Sequence, residues 1–243
     1  MKQGRYPIKS AREYRIEEEE IARNASRRAP IIVCVDRSYS MRQQRRLEKV
    51  MEGLETFRSD MMADPIARDS VELCLISFGG TMARVECDFA TADRIHFPKL
   101  EASGETPLAD AIDLALENLQ HRKVRYEDNG ISFYRPWLVL IGDGDETQSS
   151  AQLEEAAHRL KREYDEKHLN VLCIIVGDED RVEYGSLLRL APDGKVHYLR
   201  DLKFREFFGW LSRSLKKAGQ SMSGEELKYE PTGSWSERLE RKG

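Results

Sequence analysis

Oxygen-bearing side chains occur in three short segments, each placed where a strand ends or a helix begins. Asp36 directly follows a continuously apolar run and is itself followed by Ser38 and Ser40. Thr106 lies just before an amphipathic segment, and Asp143 follows a second apolar run. Carboxylates and hydroxyls are hard ligands, which Mg²⁺ prefers in near-octahedral geometry while it keeps several waters. These residue types therefore predict a site for Mg²⁺, with Mn²⁺ or Ca²⁺ as alternatives.

The segments that must position these residues alternate between strands and helices. Short β-branched apolar runs predict buried strands, and runs with an apolar stripe predict helices. The predicted strands are 31–35, 71–78, 83–89, 137–141, 171–176 and 196–199, and the predicted helices are 47–57, 108–119, 150–167, 184–190 and one starting near 204. This order predicts an α/β, doubly wound, mostly parallel six-stranded sheet with an antiparallel edge strand and helices on both faces. Ligands of such sheets bind at the carboxyl ends of the strands, where the three segments lie.

The same residues resemble the metal-ion-dependent adhesion site of von Willebrand factor A domains. Asp36-x-Ser38-x-Ser40, Thr106 in a Gly-x-Thr loop and Asp143-Gly144 match its three elements in chain order. The resemblance covers roughly residues 30 to 218. It implies direct metal bonds from Ser38 and Ser40, with Thr106 direct or through water and Asp36 and Asp143 acting mainly through water. It also implies that a protein partner supplies an Asp or Glu to the sixth position.

Within that superfamily the chain looks most like TerY-like tellurium-resistance proteins. The segments that carry this closer resemblance are Ser38–Met41, Ser103–Ala111 and Phe207–Ser212. It implies a role in bacterial stress response, tellurite resistance or phage defence, beside kinase- or phosphatase-like partners. The chain departs from the family at Tyr39, Glu105 and Gly142, where Gly, Gly and Thr are frequent. None of the three is a ligand position, but Tyr39 and Glu105 flank the metal. There they would alter the choice of partner or crowd the open site, and a further alternative is that Glu105 acts as a ligand of the metal itself.

Simpler roles for these residues stay open at this point. Ser38, Ser40 and Thr106 precede helices, where they would serve as N-caps, and Asp143 before Gly144 would form a turn. A calcium loop of the EF-hand type starting at Asp143 is rejected, because its required glycine is replaced and the loop follows a strand. The sequence contains no GxxxxGK[ST], GxSxG or HExxH motif.

The ends of the chain differ from its centre. Residues 1–29 form a predicted charged helical extension, residues 30–220 the domain, and residues 221–243 a loose C-terminal tail without periodicity. Residues 124–135 contain two short alternating runs around Asn129-Gly130, a strong turn dipeptide. They predict a β-hairpin that protrudes from the domain.

Composition narrows the possible partners and compartment. The formal net charge of −4 gives no electrostatic case for nucleic acid or an anionic membrane. The longest apolar run is far shorter than a membrane span, and the amino terminus has no apolar stretch for a signal peptide. The four cysteines lack CxxC spacing and are predicted to be buried free thiols. The predicted location is cytoplasmic.

The function predicted from all of this is a metal-dependent adaptor that binds an acidic residue of another protein, and not an enzyme. One alternative is a metal-independent scaffold that uses the hairpin and the N-terminal helix as its binding surface. The other is a metal-dependent phosphohydrolase that uses Asp36.

Overall fold

Strands and helices alternate through the computed structural model, which describes residues 5–7, 19, 21, 23–144, 150–177, 185–199, 203–220 and 236–240. The strands are β1 Ala29–Asp36, β2 Val71–Gly79, β3 Met82–Thr91, β4 Trp137–Gly142, β5 Asn170–Ile175, β6 Lys195–Leu199 and β7 Ser236–Glu240. The helices are α1 Arg46–Met62, α2 Pro65–Ser70, α3 Leu108–Asp128, α4 Ser150–Asp165, α5 Gly185–Leu190 and α6 Phe204–Gln220. A 3₁₀ segment, Tyr39–Arg45, precedes α1.

The strands form one sheet in the order β3-β2-β1-β4-β5-β6-β7. β2, β1, β4, β5 and β6 are parallel, whereas β3 pairs antiparallel with β2. Every residue of β1, β2 and β4 is buried, as expected for central strands covered on both faces. The predicted doubly wound fold with an antiparallel edge strand is therefore confirmed.

A seventh strand lies within the predicted loose tail. β7 pairs antiparallel with β6, with Ser236 opposite Leu199 and Glu240 opposite Lys195. No pattern in the sequence indicates this strand, because Ser236–Glu240 contains one apolar residue and does not alternate between apolar and polar residues. The rest of the tail lies outside the described residues.

The predicted hairpin at residues 124–135 is wrong, because α3 continues to Asp128. The Asn-Gly dipeptide ends this helix instead. Gly130 has a φ of 65°, and the amides of Gly130 and Ile131 donate to the carbonyl oxygens of Glu127 and Tyr126. This double pattern is a Schellman motif, in which glycine takes the left-handed position after the helix.

Helices cover both faces of the sheet, and each face has its own apolar core. On β1, Ile31, Val33 and Val35 face the layer of α1, α2 and α6, while Ile32 and Cys34 face α3, α4 and α5. All these side chains are at most 1% exposed. Full burial of such an aliphatic side chain contributes about 1.5–3 kcal/mol, so both layers hold β1 in the centre.

The described parts of the N-terminal extension contact the domain at several places, and two of these contacts are short hydrogen bonds to β3 and to the end of α2. The carbonyl oxygen of Arg5 accepts a 2.7 Å hydrogen bond from the amide of Val85 on the edge strand β3. Nδ2 of Asn24 donates to the carbonyl oxygen of Asp69 at 2.7 Å. Most of the predicted N-terminal helix lies outside the described residues.

All four cysteines are free thiols, and Cys34, Cys74 and Cys173 are buried. Burial raises the pKa of the Cys87 thiol to about 12, so this partly exposed cysteine also stays protonated near neutral pH. Within the described residues, no helix combines the length and the apolar character that a membrane crossing requires.

Candidate metal centre

The two predicted carboxylates lie side by side at one edge of the sheet. β1 and β4 are neighbouring parallel strands with Val35 opposite Ile141, so Asp36 and Asp143 leave the sheet at the same end. Asp36 is fully buried and Asp143 is 7% exposed. A Cβ atom on Gly142 would lie 3.2 Å from Oδ2 of Asp36, so the absence of a side chain there leaves room beside this carboxylate.

The two predicted serine ligands turn back towards Asp36. The amide of Ser38 donates a 2.7 Å hydrogen bond to Oδ1 of Asp36, which fixes the start of the loop. The hydroxyls of Ser38 and Ser40 are hydrogen-bonded to each other, and their oxygens are 2.9 Å apart. Two neighbouring ligands of an octahedral Mg²⁺, each roughly 2.0–2.1 Å from the ion, are separated by about 2.9 Å. The serine pair therefore has the spacing of two adjacent metal ligands.

Thr106 reaches the same edge through a loop that is bound to the serine loop. The amide of Tyr39 donates to the carbonyl oxygen of Gly104 at 3.3 Å. In the other direction, the amide of Ser103 donates to the carbonyl oxygen of Arg37 at 2.7 Å. Gly104 has a φ of 70°, and a Cβ atom there would lie 2.3 Å from Cα of Gly80. Only glycine fits this close approach of two backbones. Thr106 itself is 4% exposed.

Arg37 holds the threonine loop to the end of β2. Its guanidinium donates to Oγ of Ser103 at 2.7 Å and to the carbonyl oxygen of Glu101 at 3.2 Å. It also donates to Oγ of Ser77 at 3.2 Å and to the carbonyl oxygen of Gly79 at 3.1 Å. One planar guanidinium can make such contacts in several directions at once. Arg37 thus fixes the loop that carries Thr106.

Arg42 makes a second connection to the same loop and borders the surface of the site. Its Nη2 donates to the carbonyl oxygen of Ala102 at 2.8 Å. Its guanidinium carbon lies 5.1 Å from the ring centroid of Tyr39, a cation–π distance. Tyr39 is 60% exposed, so it is available to a molecule that approaches the site. An open groove of about 980 Å³ extends from Arg42 between α1 and residues 97–102.

A buried arginine lies next to the second carboxylate. Nη1 of Arg46, in the first turn of α1, lies 3.8 Å from Oδ2 of Asp143, and the side chains are 5% and 7% exposed. Sequence reasoning identified neither this residue nor Arg37 and Arg42 as part of the site. The sequence signal for these residues was the cluster of arginines between Asp36 and Leu47.

The predicted site residues therefore come together at one edge of the sheet. Asp36, Ser38, Ser40, Thr106 and Asp143 supply oxygen donors alone, and the spacing of the serine hydroxyls suits adjacent ligands. This donor set fits a hard divalent ion. Ser40 is only partly buried, whereas the other four residues are buried.

Residues 31–146 match the family model of the von Willebrand factor type A domain. A comparison with curated proteins gives no match. Similar solved structures include the pilus adhesin SpaC from Lactobacillus rhamnosus GG, with a TM-score of 0.60, 12% identity, and coverage of 79% of this chain and 31% of that chain. Proximal thread matrix protein 1 from the mussel byssus has a TM-score of 0.53 and 16% identity, covering 79% of this chain and 49% of that chain.

The ArnB paralog VWA2 from Sulfolobus acidocaldarius is also similar, with a TM-score of 0.51 and 15% identity, covering 78% of this chain and 46% of that chain. At these identities the likeness shows the fold alone. The chain spans less than half the length of each of these three proteins.

Proposed function

We propose that residues 31–146, which match the model of the von Willebrand factor type A domain, belong to a domain that binds a divalent metal ion to hold an acidic residue of a protein partner. The ligands are Asp36, Ser38, Ser40, Thr106 and Asp143, and the ion is Mg²⁺, with Mn²⁺ or Ca²⁺ as alternatives. The observation that carries the proposal is the 2.9 Å separation of the serine hydroxyls beside two buried carboxylates.

The charge of the donor set suits such a bridge. The three hydroxyls are neutral, and they leave the ion a stronger Lewis acid than a set of carboxylates alone would. A hard cation in this environment attracts a further carboxylate oxygen. The exposed ring of Tyr39 and the guanidinium of Arg42 border the approach, so they select among partners by what surrounds the acidic residue.

Binding explains the placement of Asp36 better than catalysis does. A phosphohydrolase that uses Asp36 as its nucleophile needs this carboxylate to reach a substrate. Asp36 is fully buried, and its Oδ1 accepts the amide hydrogen of Ser38. We therefore propose a binding protein and not an enzyme.

The alternative of a metal-independent scaffold relied on a hairpin and on the N-terminal helix as binding surfaces. Residues 124–128 belong to α3 and form no hairpin, so one of these two surfaces does not exist. The biological setting stays a proposal that rests on the sequence resemblance. It is a cytoplasmic adaptor in a bacterial stress, tellurite-resistance or phage-defence system, with kinase- or phosphatase-like partners.

The test is affinity purification from the native host in Mg²⁺ and again in EDTA, with bound proteins identified by mass spectrometry. Asp36→Ala and Thr106→Ala should both lose the partner that EDTA removes. Thr56→Ala is the matched control, because Thr56 donates its hydroxyl only within its own helix, to the carbonyl oxygen of Glu52. Unchanged capture by both site variants, or a partner retained in EDTA, would overturn the proposal.

A further inference from the structure

The buried arginine beside Asp143 is not needed to build the ligand set. Arg46 is 4% exposed, and its Nη1 lies 3.8 Å from Oδ2 of Asp143. Its neighbour Arg45 has a left-handed backbone and a side chain that is 72% exposed. Consecutive arginines at the start of α1 thus have opposite environments, and one of them points to the site.

A guanidinium in this position changes the charge that a metal ion meets. Burial of a charge is unfavourable unless an opposite charge compensates it, and Arg46 and Asp143 compensate each other. An incoming divalent cation is attracted by both aspartates but repelled by Arg46. Arg46 and the ion therefore compete for the same carboxylate.

We infer that Arg46 is an internal counter-cation of the metal site, which stabilises the metal-free form and weakens the binding of the ion alone. This inference rests on the proposed metal site. The guanidinium adds a positive charge next to Asp143. It therefore opposes the binding of the ion and favours the approach of a partner's carboxylate once the ion is bound.

The test measures Mn²⁺ binding to the full chain by isothermal titration calorimetry. Arg46→Met removes the charge and keeps a long apolar side chain, and it should bind Mn²⁺ about tenfold more tightly than wild type, equivalent to about 1.4 kcal/mol. Arg46→Lys keeps the charge, and its affinity for Mn²⁺ should stay close to that of wild type. Arg45→Met is the matched control, because it removes the same charge from an exposed position, and its affinity should not change.

Thermal unfolding gives a second readout. In EDTA, Arg46→Met should unfold at a lower temperature than wild type, because Asp143 loses its buried counter-charge. Mn²⁺ should then raise its unfolding temperature by more than it raises that of wild type. If Arg46→Met does not fold, Arg46→Gln is judged by the same two criteria.

The outcomes separate this inference from the proposed function. If wild type binds Mn²⁺ and Arg46→Met binds it equally or more weakly, the counter-cation role is wrong and the metal site stands. If wild type and both Arg46 variants show no Mn²⁺ binding, the metal site itself is wrong. If Arg46→Met binds Mn²⁺ and wild type does not, the counter-cation role is supported. The wild-type site then excludes the ion when no partner carboxylate is present.

Discussion

Arg28 and Glu72 form an ion pair inside the domain. Nε of Arg28 lies 2.9 Å from Oε1 of Glu72, and the side chains are 1% and 4% exposed. The terminal nitrogens of Arg28 donate to the carbonyl oxygens of Ser26 and Asn24 at 2.6 and 2.8 Å. The pair therefore joins the segment before β1 to the start of β2.

The second oxygen of Glu72 binds α3. Nε of Arg122 donates to Oε2 of Glu72 at 2.9 Å, and the hydroxyl of Tyr126 donates to the same oxygen. Arg122 and Tyr126 are one helical turn apart, so both face β2 only if α3 continues past residue 124. One carboxylate thus fixes the entry to β1, the start of β2 and the end of α3.

Glu72→Ala should lower the free energy of unfolding by about 3–5 kcal/mol, because it leaves two buried guanidinium groups without their carboxylate. Urea denaturation followed by circular dichroism measures this change. Glu55→Ala on the exposed face of α1 is the control and should change stability by at most about 0.5 kcal/mol. Equal effects of the two substitutions would contradict the assigned role of Glu72.

The hydroxyl of Tyr126 predicts a pH dependence of stability. Burial, and then the neighbouring Glu72 carboxylate, raises the pKa of Tyr126 well above its ordinary value. The stabilising neutral phenol is fully retained below the unfolded pKa of about 10, and its contribution is lost as pH rises through the folded value. As pH rises above about 10, the free energy of unfolding should therefore fall more steeply in wild type than in Tyr126→Phe. Urea titrations from pH 8 to 11 compare the two slopes, and parallel slopes would refute this role.

A glycine at the contact of α1 and α6 predicts a steric effect. A Cβ atom on Gly53 would lie 2.7 Å from Cδ2 of Phe208 and 2.9 Å from Cβ of Phe204. Gly53→Ala should therefore destabilise the domain by about 1–3 kcal/mol through overpacking, although alanine favours an isolated helix. Gly209→Ala is the control, because the nearest atom there is the flexible end of Arg213 at 3.5 Å. Thermal unfolding should show a loss of stability for the first variant, and stabilisation by both would contradict the close packing.

The alternation of strands and helices was predictable because the apolar runs of the central strands differ clearly from the periodic pattern of the helices. Ile31 to Val35 is continuously β-branched or apolar, and it forms the centre of the sheet as expected. The three oxygen-bearing segments were also predictable, because parallel strands bring their carboxyl ends to one edge. The local residue pattern and the order of the segments along the chain were sufficient to predict the strands and helices and the position of the candidate site.

Features that depend on contacts between distant segments were not predictable. Asn129-Gly130 is compatible with a hairpin turn and with a helix end, and the contact of Tyr126 with Glu72 selects the helix. β7 lacks an alternating pattern and forms through its pairing with β6. The direction of a long side chain such as Arg46 depends on the neighbouring charges in the folded domain.

Arg37 predicts an effect on metal affinity through the loop that it holds. Arg37→Ala removes the hydrogen bonds to Ser103 and Glu101 that fix the loop before Thr106. Loss of such support for a ligand typically weakens metal binding by about 10–100-fold, and we expect Mn²⁺ affinity in calorimetry to fall within that range. Arg45→Ala removes an exposed arginine from the same segment and should leave the affinity unchanged. A folded Arg37→Ala variant, verified by circular dichroism, that binds Mn²⁺ like wild type would show that Thr106 is positioned without this arginine.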